Sequence, residues 1–324
     1  MAKHLKNIIF VALALTLTAC FGDEDAPIRI GLDPWPGNEF LFLAQKKGFF
    51  AEEGVSVQLV EFSTLNDVRR GFERGQVDGM ASTPIEAIQA DERSKREPRL
   101  FMVFSYSDGA DALLANDSIK TVRDLKGKRI AAEPGSLTMF LVARALETAG
   151  LTLDDVTIVP MDQALVANAM SEGKIDAVAT YPPTSIAVLG QPGRHVIFSS
   201  ADIPGEVTGV MCLDAPIMRE RPDVAARIVR AWDRALKFAQ SNPDEAYTFM
   251  AQRMGMSRAD FEASLDGIQL VSAAAQSDYF GPDGRLREIV AEQAALLAQT
   301  GQMDASRDTA QLIAEPGPQV VQRH

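Results

Sequence analysis

From Ile28 onward the chain alternates short, continuous apolar runs with longer stretches whose apolar residues recur every three to four positions. Continuous runs of four to eight apolar residues bounded by turn formers read as buried strands, and the longer periodic stretches read as helices with one apolar face. The pattern predicts a strand at 28–32, a helix at 38–50 closed by Lys46, Lys47 and Gly48, a strand at 55–62, a helix at 65–74 and a strand at 77–81. The same order restarts at 129–132, with a helix at 137–149 ended by Gly150, a strand at 156–160, a helix at 164–172 and a strand at 175–180. Strands alternating with helices in this way argue for α/β layers. Beyond Ser199 the pattern changes: Ile203-Pro204-Gly205 reads as a crossing, and 222–240 as a long helix with Val224, Ile228, Trp232 and Leu236 along its core face. A Gly281-Pro282-Asp283-Gly284 turn precedes a final helix to about Ala298.

The two restarts share residues as well as order. The segment Gly75-Gln76-Val77-Asp78-Gly79-Met80-Ala81-Ser82-Thr83-Pro84 aligns with Gly173-Lys174-Ile175-Asp176-Ala177-Val178-Ala179-Thr180-Tyr181-Pro182 at a constant offset of 98, matching glycine, aspartate, alanine and proline. A duplicated α/β unit is the reading, with 28–116 plus 206–303 as one lobe, 117–205 as a second lobe inserted into it, and 304–324 as a loose tail. Ligands of open α/β sheets sit outside the carboxyl ends of the strands, so the loops after each strand should meet in one cleft.

The first residues are set apart. Lys3 and Lys6 precede an apolar run from Ile8 to Leu17 and the box Leu17-Thr18-Ala19-Cys20. That run is too short to span a bilayer core, which needs about 20 residues, and it has the form of a secretory signal. The box resembles the bacterial lipoprotein signal, which implies removal of residues 1–19, lipid on Cys20 and a tether at 20–27. No second long apolar segment occurs, so lipid is the expected membrane attachment.

Charge and rare residues narrow the chemistry. Over 324 residues, 44 acidic against 32 basic side chains give a net charge of −12, which disfavours nucleic acid as a partner. With only Cys20, Cys212, His4, His195 and His324, a Cys/His metal cluster is excluded and a His-dependent catalytic triad has little to draw on. Cys212, in an apolar run, reads as a buried inert thiol. No glycine-rich phosphate cradle is present.

The loops expected at the cleft, at 33–38, 82–84, 106–111, 133–137, 161–163 and 181–184, hold no lysine, arginine or histidine, but carry Asp33, Asp108, Asp111, Glu133 and Asp162. Carboxylates flanking the Gly109 turn can hold an amine or amidinium, or serve as turn and cap residues. Trp35, Tyr106 and Tyr181 punctuate the same loops, Trp35 and Tyr181 next to proline, and suit the wall of a planar or methylated ligand or ordinary hinge packing. Ser136 and Asn38 stand where helix caps are expected, and Pro84 suits a first helical position.

Several segments together resemble a known family: 30–37 with its Trp35-Pro36-Gly37, Gly48-Phe49-Phe50-Ala51-Glu52-Glu53-Gly54, Gly75 to Asp78, Asp124-Leu125-Lys126-Gly127-Lys128-Arg129-Ile130, and Gly173 to Pro182. They are similar to the substrate-binding proteins of ABC importers in the nitrate, sulfonate and taurine group, which also includes binders of thiamine-precursor pyrimidines. The resemblance covers about 28–303 and implies a type II periplasmic-binding-protein fold, with two lobes, each a central sheet flanked by helices, joined by a two-crossing hinge. By similarity, Trp35, Ser82, Thr83, Ser107, Asp108, Asp111, Ser136 and Tyr181 correspond to solute-contacting segments. The implied protein is a monomeric, lipid-anchored, periplasm-facing binder without metal or cofactor, which hands a small solute to a permease and its ATPase. The acidic loops favour a zwitterion, an amine-bearing heterocycle or an organic cation over a bare anion. The rival readings are a ligand-sensing lipoprotein and, on the same fold, a pyrimidine-synthase-like or lyase-like enzyme.

Overall fold

The computed structural model describes residues 26–281 and 283–314. The signal, Cys20 and residues 315–324 lie outside the described residues. Eleven strands are described: β1 (Ile28–Leu32), β2 (Val57–Glu61), β3 (Gly79–Ser82), β4 (Pro98–Ser107), β5 (Ala112–Asn116), β6 (Arg129–Ala132), β7 (Thr157–Pro160), β8 (Ala177–Thr180), β9 (Arg194–Ser199), β10 (Thr208–Asp214) and β11 (Ile268–Leu270). They form two sheets, of order β11-β4-β10-β3-β1-β2 and β7-β6-β8-β5-β9. In each, three parallel strands with the first in the middle continue into an antiparallel strand that arrives from the other lobe: β10 between β3 and β4, and β5 between β8 and β9. The expectation that 112–116 belongs to the first lobe is therefore corrected. β5 is apolar and buried on both faces, so its sequence suits either sheet, and its pairing with Thr180–Ala177 and with β9 assigns it to the second.

The repeat is physical. Asp78 accepts from the backbone N–H of Arg29 (2.9 Å) and from its guanidinium Nε (2.9 Å) and terminal nitrogen (2.7 Å), while that terminal nitrogen also donates to the Gly75 carbonyl (3.1 Å). Asp176, Arg129 and the Gly173 carbonyl repeat the arrangement at 2.9, 3.0, 2.9 and 2.8 Å. Gly75 and Gly173 have φ of +70° and +66°, a backbone region that glycine adopts without a Cβ clash. Each lobe thus ties the start of the middle one of its three parallel strands to the turn that feeds its third strand.

The helix expected at 38–50 is divided. A 3-10 turn at Pro36–Asn38 leads into a helix at Glu39–Lys46, and Gly48 at φ +76° separates it from a short helix at Phe49–Glu52. The long helix runs Val224–Ser241 and buries Trp232 completely, with its indole N–H donating to the Val271 carbonyl at 2.9 Å. Cys212 is buried in β10 and its thiol is pushed up to about 12 by burial, as suits an inert side chain. The described part of the expected loose tail, 304–314, is packed: Arg307 pairs with Asp91 and Glu92, Leu312 is buried, and Ala314 N–H donates to the Leu100 carbonyl at 2.8 Å. Among the described residues no helix is long and apolar enough to cross a membrane.

The chain crosses between lobes at 108–111 and returns at 200–207. The crossings are tied together: the Ser107 and Ser200 hydroxyls bond at 2.7 Å, Gly109 N–H donates to Ser200 Oγ (2.7 Å), and Asp111 N–H donates to Ser107 Oγ (3.0 Å). Ser200 N–H donates to the Asp111 carbonyl at 2.8 Å and Ser107 N–H to the Val207 carbonyl at 2.9 Å.

Candidate functional site

Between the lobes, beside the crossings, lies a small cleft that both lobes line. Its apolar wall comes from both lobes: Trp35, Leu65 and Phe104 from the first, Leu137 and Tyr181 from the second, and Val207 from the return crossing. Its polar lining is Asp33, Asn38, Ser82, Thr83, Ser105, Ser107, Asp111 and Thr208.

The loop after β1 places the first group. Proline at 36 holds Trp35 extended (φ −94°, ψ 131°) and opens the 3-10 turn. Glycine at 37 leaves room for the indole, since a Cβ there would stand 2.7 Å from Trp35 Nε1. The turn brings Asn38 back onto Asp33, where its amide donates to the Asp33 carbonyl (3.0 Å) and carboxyl Oδ1 (3.3 Å). Trp35 meets Tyr181 of the other lobe edge-on at 5.8 Å between ring centres. A second contact across the lobes joins Asn66 to Glu133 Oε2 at 3.2 Å. The lobes are closed on the cleft.

The electrostatics are one-sided. Burial pushes the Asp33 carboxyl up to about 7, opposed by the Tyr181 hydroxyl beside it and reinforced by Glu86 and Asp111. Asp111 rises to about 7 through burial, opposed by Ser107, and Glu133 to about 7 through burial and the charges of Asp162 and Glu86. Burial also raises Glu86, against its bonds to the Thr83 hydroxyl and N–H in the capping box of the helix Pro84–Arg93. The Tyr181 phenol is raised well above its ordinary value by burial and by these same acids. No lysine, arginine or histidine among the described residues lines the cavity. Arg69, buried nearby, favours the charge on Glu86 but is itself bonded to Glu73 and to Asn66 Oδ1. No group of three or more His, Cys, Asp or Glu among the described residues is arranged to hold a metal ion.

Of the eight residues expected to contact solute, Trp35, Ser82, Thr83, Ser107, Asp111 and Tyr181 line the cavity and two do not; Tyr106, Glu133 and Asp162 of the expected cleft loops also stand outside the lining. Asp108 is exposed, its N–H bound to the Gly267 carbonyl at 2.7 Å, because the Gly109 turn faces it away from the cleft. Ser136 is buried as the cap of the helix Leu137–Thr148: its hydroxyl donates to the Glu133 carbonyl (3.0 Å) and accepts from Thr138 N–H (3.3 Å). Asn38 forms no cap bond and serves Asp33 instead. Thr208 carries no sequence signal because β10 runs antiparallel and enters the cleft by its N-terminal end, and Ser105 carries none because it lies within the apolar run of β4, two residues before the strand ends.

Comparison with known proteins agrees with this geometry. The taurine-binding periplasmic protein of Escherichia coli is 24% identical over 318 residues, covering 93% of this chain and 92% of that one. The crystal structure of the periplasmic aliphatic sulphonate binding protein SsuA from Escherichia coli superposes with a TM-score of 0.74 at 21% identity, over 90% of this chain and 92% of that one. The alkanesulfonate-binding protein SsuA from Xanthomonas axonopodis pv. citri bound to MOPS gives 0.74 at 19% identity, over 90% and 99%. These likenesses establish the periplasmic-binding-protein fold expected from the sequence. The family model described as NMT1/THI5 like matches residues 35–246, more than half of the sequence, and the chain belongs to that family.

Proposed function

We propose that this chain is the solute-binding component of an ABC importer, and that its solute is a small organic molecule carrying a cationic nitrogen. The observation that carries the reading is the pairing of Asp33 and Asp111, both buried, in an aromatic-walled cavity whose lining offers no cation. A buried carboxylate without a partner is expensive, and a bound ammonium or amidinium would relieve that expense by charge-assisted hydrogen bonds. Trp35 and Tyr181 would cover the carbon skeleton and shut out water. The relatives' taurine and sulfonate ligands make a zwitterion compatible, with its anionic end on backbone N–H groups. The same reading has Cys20 carry the lipid that keeps the protein at the outer face of the membrane, and has the closed form deliver its solute to a permease powered by an ATPase.

Thermal shift and calorimetry against amines, betaines, aminopyrimidines, sulfonates and nitrate test the reading, together with mass spectrometry of solute retained through purification. Saturable stabilisation by an amine-bearing solute is expected. Binding of bare sulfonates or nitrate in preference to every amine would overturn the cation preference. Absence of any stabilising solute and of any lobe closure in small-angle scattering would overturn capture itself.

A further inference from the structure

Three polar atoms of the cavity lining have no hydrogen-bond partner among the described residues: Asp33 Oδ2, Asn38 Oδ1 and Thr208 Oγ1. Their residues are 2%, 2% and 0% exposed. Buried polar atoms are almost always satisfied, so orphans gathered in a cavity wall mark where a ligand's groups belong. Two of the three form a unit. Asn38 donates through its amide nitrogen to the Asp33 carbonyl and to Asp33 Oδ1, which leaves Oδ2 of the acid and Oδ1 of the amide as the free acceptors of a bonded pair. The amide orientation follows from the network, since turning it over would set its oxygen against two oxygens of Asp33. The Tyr181 hydroxyl stands beside Asp33 but makes no hydrogen bond of ordinary geometry to Oδ2.

Building on the cation reading above, we infer that the Asp33–Asn38 pair selects a nitrogen bearing at least two N–H groups: a primary or secondary ammonium, an amidinium or a protonated amino-heterocycle. One acceptor belongs to an acid and the other to a neutral amide, so the complement is one positive charge offering two hydrogens. A quaternary ammonium matches the charge and the aromatic wall but leaves both oxygens without a bond after burial. The site therefore separates amines from their fully methylated counterparts. Thr208, on β10, offers the third orphan to another polar group of the same solute.

The test uses matched pairs on the intact protein: benzylamine with benzyltrimethylammonium, ethanolamine with choline, taurine with N,N,N-trimethyltaurine, and benzamidine alone. At least one primary amine or the amidine should bind saturably in calorimetry, with its trimethylated partner at least tenfold weaker. Asn38→Leu should narrow that ratio, because the remaining Asp33 charge attracts both members; wild-type discrimination stands as the readout if the variant does not fold. Equal or tighter binding of the trimethylated member overturns the inference and leaves the cation reading standing. Binding of sulfonates or nitrate with no amine bound, or no saturable binding by any probe, overturns both.

Discussion

Asp33 and Glu133 occupy the same place in the two lobes, one residue past the middle one of the three parallel strands in each sheet and four past the arginine that clamps the repeat turn. Each carboxyl is buried and pushed up to about 7. Five residues on, each loop is braced by a short polar side chain: Asn38 donates to the Asp33 carbonyl, and Thr138 Oγ1 accepts from the Glu133 N–H at 2.9 Å. Their surroundings then diverge. Each keeps one oxygen without a hydrogen-bond partner, but Asp33 lines the cavity and bonds Asn38 of its own loop, whereas Glu133 stands outside the lining and bonds Asn66 of the facing lobe. The two acids are equivalent in position, and the packing of the lobes against each other places one in the cavity lining and one in a contact between the lobes.

The largest test of that division is a pair of isosteric substitutions. Asp33→Asn should weaken binding of the amine solute at least 100-fold, roughly 3 kcal/mol, while Glu133→Gln should weaken it by no more than about tenfold. Equal losses in calorimetry would erase the distinction. The effect of pH comes next. In the unfolded chain these acids ionise near pH 4, but in the fold only near 7, so between those values the folded protein holds more protons. Solute-free stability should therefore be greatest below about pH 4 as far as these groups are concerned, fall as pH rises from there by up to about 1.4 kcal/mol per pH unit for each, and level off above about 7. Asp33→Asn and Glu133→Gln should each flatten the melting temperature's pH profile. Binding of a cation should strengthen in the opposite direction, as pH rises from about 6 to about 8, but in Asp33→Asn that dependence should shrink more than in Glu133→Gln.

A smaller change should follow from Asn66→Leu, which removes the donor that joins the lobes at Glu133. A hydrogen bond of this kind contributes roughly 0.5–1.5 kcal/mol, so affinity should fall roughly two- to tenfold and the solute-bound radius of gyration should shift toward the open form. The smallest effect probes what the lobes kept in common. Arg29→Met and Arg129→Met should lower the melting temperature slightly and to a similar extent, because both clamps are partly exposed and both share the carboxylate and carbonyl partners. A large loss in one lobe alone would show that the repeat has lost its equivalence.

The repeat was legible because its signals are local. Glycine with positive φ before an aspartate, then a fully buried strand and a proline, is a short run of residues each fixed by its own backbone. The crossing at 108–111 was not legible to the residue, since Ala112–Asn116 is apolar on both faces and only its partners reveal which sheet it joins. The acidic and aromatic side chains of the lining stand in loops legible from the sequence, but the role of a short polar side chain beside them is not legible, for the same reason. An asparagine before a helix ordinarily caps it, yet the turn at Pro36–Asn38 leaves Asn38 in helical backbone, φ −69°, with its amide turned to a residue five positions back. Ser136 is the opposite case, a cap signal that is simply a cap. What a short polar side chain does depends on which neighbour reaches it first, and that neighbour is often far along the chain.

The serine staple between the crossings bears on the order of events during capture. Asp111 belongs to the first crossing and is tied through Ser107 to Ser200 on the second, so it sits where rotation of one lobe against the other displaces atoms least. Tyr181 belongs wholly to the second lobe and must travel to reach Trp35 and Asp33. Under the proposed capture, an arriving molecule would be held at Asp111 before the lobes move and would meet Tyr181 only afterwards. Arrival rate and residence time should then depend on different side chains, and a substitution at one should leave the other's kinetics largely untouched.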